Sequence, residues 1–71
     1  MTFGELASSI AEEKGLSQNE VARRAGLPVP HVNMIFNDKV KWPTLATAFK
    51  IADALGVDID LFRQCKARDE D

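Results

Sequence analysis

Few residues in this chain have the chemistry to react or to hold a metal. His31 is the only histidine and Cys65 the only cysteine. They lie far apart in sequence, outside the spacing of a zinc site, and Cys65 has no partner for a disulfide within the chain. No Ser/His/Asp or Cys/His set shares a neighbourhood, and Gly4 is the lone glycine ahead of Gly15, which makes no phosphate loop. The chain reads as a non-enzyme with no metal and no cofactor. What remains is charge and hydrogen bonding, and both are unevenly placed. Glu5, Glu12 and Glu13 stand in the first segment with no base. Lys14, Arg23, Arg24, Lys39, Lys41 and Lys50 then face only Glu20 and Asp38. From Asp53 onward acids again outnumber bases. The net charge of -2 therefore hides a basic middle between acidic ends.

The elements that position this middle can be read from caps and periodicity. Thr2 to Glu5 fits a capping box, followed by Leu6, Ala7, Ile10 and Ala11 at helical spacing and a stop at Gly15. Ser17 to Glu20 fits a second box, with Leu16 and Val21 placed for a hydrophobic staple and Gly26 as the stop. A third helix carries Val32, Ile35 and Phe36 on one face. Its start is irregular: Pro28 supplies no capping oxygen, and Pro30 fits only within a first turn. Asn37 to Pro43 is a polar, basic loop. Thr44 can cap a fourth helix that points Leu45, Ala48, Phe49, Ile51, Ala52 and Leu55 inward and stops at Gly56. Asp58 can cap a short fifth helix with Ile59, Leu61 and Phe62. The expected fold is all-α, five short helices around one core. It forms one domain over residues 1–65, with a charged, fraying tail over 66–71.

Seventy-one residues bury only about 60% of their unfolded surface, so such a domain depends on tight helix packing or a partner chain. No apolar run approaches the roughly 18 residues of a membrane span, and no basic-then-apolar leader opens the chain. The expected setting is a reducing cytoplasm, away from any membrane.

The most informative unit runs from Gln18 to Asn37. Ala22 is small enough for two helices to cross closely, and Gly26 can take a left-handed turn. Leu27, Val32 and Ile35 anchor the next helix by one face and leave its other face free. A helix held in this way can enter a DNA major groove. The unit resembles the helix-turn-helix of lambda-repressor-like, Cro-type bacterial and phage regulators. Leu16-Ser17-Gln18, Val21-Ala22, Ala25-Gly26-Leu27, Val32 and Ile35 fall in register with it. So do Pro43-Thr44-Leu45 and the run from Ile51 to Val57. The likeness covers about Thr2 to Phe62.

This resemblance implies sequence-specific binding of double-stranded DNA by a transcriptional regulator, expected to be a repressor, with the helix at about residues 29–37 in the groove. Gln18, Asn19, Arg23, Asn37, Lys39 and Lys41 match positions that meet phosphates. Val29, Pro30, Asn33 and Met34 match positions that face bases. A homodimer is expected, with Ile59, Leu61 and Phe62 as the candidate contact. Three departures stand out. Val29, Pro30 and Met34 are apolar and can touch thymine methyls but cannot hydrogen-bond bases, so Asn33 is the clearest polar reader, with adenine its natural partner. Phe36 and Ala11 occupy positions where the family commonly pairs Glu with Arg. Asp38 stands where a left-handed Gly is usual. The alternative is a protein-interaction module, or an antitoxin, that docks its Val29/Pro30/Met34 face on a protein partner.

Overall fold

A computed structural model describes residues 2–40 and 42–65, apart from the side chain of Gln64. The expected tail over 66–71 and the candidate phosphate contact Lys41 lie outside the described residues. The chain forms α1 (Phe3–Glu13), α2 (Gln18–Ala25), α3 (Val29–Phe36) and α4 (Leu45–Leu55), then a 3₁₀ helix (Ile59–Gln64). The described residues are all-helical, as expected, but the fifth helix is wound more tightly than an α-helix. A six-residue segment has little room to gain from α-type bonds, and Asp58 caps it through Asp60 N–H at 2.9 Å. Among the described residues no helix is long and apolar enough to cross a membrane.

The caps explain where the helices start. Thr2 and Glu5 close a full capping box on α1. At α2 only half of the expected box forms: the Ser17 hydroxyl accepts from Glu20 N–H at 3.1 Å, while the Glu20 carboxylate engages Arg23 and Arg24. At α3, Pro28 makes no side-chain cap and Pro30 sits in the first turn, where a missing N–H leaves no bond unmade.

One device ends the four α-helices. A residue at positive φ is followed by one whose N–H reaches back five positions. Leu16 bonds Ala11 O at 2.8 Å, and Leu27 and Val57 bond Ala22 O and Ala52 O, each at 3.0 Å. Glycine holds the turn in those three cases, and at Gly26 (φ +71°) it sets the tight bend between α2 and α3. At the end of α3 the same turn is made by Asp38, at φ +63°, and Lys39 N–H reaches Met34 O at 2.9 Å.

The core lies where α1 and α2 pack on both α3 and α4, with the 3₁₀ helix closing on α4. Phe3, Ala7, Val21, Ala22, Val32, Ile35, Ala48, Ile51, Leu55 and Phe62 are buried in it. Phe3 stacks on Phe62 with ring centroids 4.3 Å apart and meets Trp42 edge-on at 5.1 Å. These contacts fasten the start of α1 to both the loop and the 3₁₀ helix. Cys65 is buried beside them, and its thiol donates to the Thr2 carbonyl at 3.5 Å. Desolvation by burial pushes that thiol's pKa up, which keeps it protonated and poorly nucleophilic. Ala11 and Phe36 are both buried, so the usual ion-pair positions contribute to the apolar core.

Two expectations about α4 fail. Leu45 is 67% exposed and Phe49 is 45% exposed, so neither points inward. The core-facing stripe of α4 runs through Ala48, Ile51, Ala52 and Leu55, with Ala54 also buried. Helical geometry allows one face of that width, and Leu45 and Phe49 fall beside it.

Candidate nucleic-acid interface

The presented face of α3 is built by fixing its opposite face. Val32 and Ile35 are fully buried and Phe36 nearly so. With those three locked, helical geometry turns Val29, Pro30, Asn33 and Met34 outward, and all four are exposed. Val29 at 41% and Met34 at 46% keep substantial apolar surface in water, against the usual drive to bury it. Asn37 follows at the helix end, also exposed, one turn beyond Asn33. The face is thus two apolar side chains and a proline around one carboxamide, with a second carboxamide at its end.

Gln18, the first residue of α2, reaches across to this face. Its Oε1 accepts from Asn33 Nδ2 at 2.9 Å. Asn33 Oδ1 accepts in turn from Asn37 Nδ2 at 3.1 Å. Three of the expected site residues are therefore joined in one chain of amides spanning the two helices. The bond between Asn33 and Asn37 was open to sequence reasoning, since they stand four apart on a helix. The bond to Gln18 needed the crossing of α2 on α3.

The cationic part of the site is smaller than the sequence suggests. Arg23 and Arg24 both bond the Glu20 carboxylate, three and four residues back on α2. The two guanidinium groups hold Glu20 below the usual carboxylate range. Arg23 is thus already paired within its own helix, although its side chain remains well exposed. Lys39 is exposed in the loop just past α3, and its side chain has no hydrogen bond or ion pair among the described residues. Asn19 is exposed in the first turn of α2, where helix N–H groups point outward and favour an anion. His31 is half-buried on the flank of α3.

The helix-turn-helix family model matches residues 9–62. That span holds both helices of the motif, the turn at Gly26, the loop, α4 and most of the 3₁₀ helix. The chain belongs to the lambda-repressor/Cro-like helix-turn-helix family. No curated protein gives a significant match to the chain. Membership makes this helix-turn-helix domain a DNA-binding regulator of transcription, in a family that is not enzymatic. In it α2 is the supporting helix of the motif and α3 the presented one.

Nothing local in the sequence pairs Gly4 with Asp38, yet the fold brings them together. A Cβ placed on Gly4 would meet Ile35 O at 2.3 Å and Asp38 Oδ1 at 2.8 Å. Gly4 is therefore the point where α1 closes on the end of α3, next to the loop that carries Lys39. A lone glycine near the start of a helix gave no signal of this, because the neighbour it accommodates is far away in sequence.

Proposed function

We propose that this helix-turn-helix domain represses transcription by placing α3 in the major groove of double-stranded DNA, as one half of a homodimer. The observation that carries the reading is the outward face of α3. It combines one carboxamide with exposed Val29 and Met34, on a helix locked from behind by Val32, Ile35 and Phe36. Asn33 supplies hydrogen bonds for adenine, and Val29, Pro30 and Met34 supply apolar contacts for thymine methyls. Gln18, Asn19 and Lys39 fix register on the phosphates, joined by Lys41. Arg23 adds to them when a phosphate displaces Glu20. Occupancy alone accounts for repression, since a bound dimer excludes other proteins from the same groove.

A homodimer suits a single small reading head, which gains affinity by pairing across half-sites about 34 Å apart. Of the residues expected at the contact, Phe62 is 1% exposed and closes the monomer core instead. Ile59 is half-buried and Leu61 is 40% exposed. Ile59 also lines an open groove of about 430 Å³ with Leu45 and Phe49, and those exposed side chains extend the candidate face onto α4. In the antitoxin reading the protein partner docks on the Val29/Pro30/Met34 face, and exposed Leu45 and Phe49 offer it a second apolar surface.

Selection of bound sequences from random double-stranded DNA at low salt tests the proposal. The expected result is an enriched two-fold site whose binding weakens steeply as salt rises, with a slope near -0.9 per phosphate neutralised. No enriched site, or affinity indifferent to salt, would overturn it.

A further inference from the structure

We propose that Asn37 is a positioning residue: it sets which way round the Asn33 amide faces the bases, and so decides specificity at the base pair Asn33 reads. This rests on the DNA-reading role of α3 proposed above, and it moves Asn37 from the expected phosphate contacts to a different task.

A carboxamide offers two N–H donors and two oxygen lone pairs. The Asn33 amide spends one donor on Gln18 Oε1 at 2.9 Å and one lone pair on Asn37 Nδ2 at 3.1 Å. One donor and one acceptor remain. That pair matches the adenine edge, where N7 accepts and the N6 amino group donates. Bidentate reading also demands that donor and acceptor stand in the correct order. An asparagine amide free to turn over presents both orders and discriminates poorly.

The neighbours remove that freedom because the chain of amides has a direction. Asn37 donates to Asn33, and Asn33 donates to Gln18. Gln18 Nε2 is thereby left as the outermost donor. A phosphate oxygen only accepts, so a phosphate at Gln18 favours this same direction. At the other end Asn37 must supply an N–H. Without it the Asn33 oxygen has no bond holding it toward the helix end, and the amide can turn over. Asn37 is exposed and lies at the C-cap of α3, outside the core, so removing its side chain leaves the packing intact.

Two measurements on the full chain test the proposal. In the free protein, Asn37→Ala should shift the side-chain amide resonances of Asn33, and Asn37→Gln, which keeps the donor, should restore them. Unmoved resonances in Asn37→Ala would overturn the proposal without touching the DNA reading. In selection from random DNA, Asn37→Ala should weaken base preference at one position per half-site by about five- to tenfold. Other positions, the salt slope and the thermal midpoint should stay as in the wild type, and Asn37→Gln should regain the preference. A uniform loss over all sequences, with the salt slope lower by about 1, makes Asn37 a direct phosphate contact and overturns the proposal. A wild-type chain that selects no site overturns the DNA reading itself, and this proposal with it.

Discussion

The Thr2 hydroxyl donates to Asp38 Oδ1 at 2.7 Å while it accepts from Glu5 N–H at 3.1 Å. One side chain thus caps α1 and ties it to the turn that ends α3. Asp38 sits at φ +63°, a backbone region that disfavours side chains. The bond from Thr2 gives its carboxylate a fixed partner there. Thr2→Val should destabilise the domain by about 1–2 kcal/mol, chiefly through the lost cap. Thr2→Ser should stay close to wild type. Urea unfolding measures both, and a Val variant as stable as wild type would remove the hydroxyl from the stability of this fold.

Gly4 should tolerate no side chain. The added methyl of Gly4→Ala meets a backbone carbonyl, which yields less readily than a flexible side chain. The expected loss is about 1–3 kcal/mol of overpacking, read by the same unfolding measurement. An unchanged midpoint would mean that α1 can shift freely against α3.

Asn33→Ala should lose about 1–3 kcal/mol at one base position, and Lys39→Ala should weaken binding evenly over sequences with a salt slope lower by about 1. Competition titrations over a panel of single-base operator variants separate the two. The same pattern for both variants would refute the division between base reading and phosphate contact.

Glu20 holds two arginines that could otherwise meet phosphate. Glu20→Gln should release Arg23 and Arg24, raise affinity for random DNA and steepen the salt slope by up to about 2. An unchanged slope would place both arginines away from the backbone. The pH dependence has a definite sign. Both guanidinium groups lower the pKa of Glu20 in the folded state. Its contribution to stability is therefore present above the unfolded carboxylate range and is lost as pH falls through the lower folded value. The contribution is small because the pair is exposed to water. In acid titrations of stability, Glu20→Gln should flatten this part of the curve, and an identical curve would dismiss the pairing.

Leu45→Glu combined with Phe49→Ser should leave monomer stability within about 0.5 kcal/mol, as is usual for exposed positions, yet shift the self-association equilibrium toward monomer. Sedimentation equilibrium over a range of concentrations checks this. A variant that dimerises like the wild type would move the interface elsewhere.

Most of the fold is readable from the chain because its signals are local. The hydroxyl or carboxylate at Thr2, Ser17, Thr44 and Asp58 starts a helix within three residues of itself. The turns at Gly15, Gly26 and Gly56 need only the φ that glycine allows. Apolar spacing then places Val32 and Ile35 inward, and helical geometry turns Asn33 and Met34 outward. Burial departs from residue type where neighbours decide. Leu45 and Phe49 look like core residues by type, but the core had already been filled by Ala48, Ile51, Ala52 and Leu55.

The sequence by itself therefore determined the helices, their ends and the presented face of α3, since each follows from contacts within one or two turns. Only the tertiary structure decided which polar groups meet. The bond of Thr2 to Asp38, the clash that keeps residue 4 a glycine, and the reach of Gln18 to Asn33 all join distant parts of the chain. Their geometry depends on how α1 and α2 cross α3, and that crossing is set by the packing of the whole core.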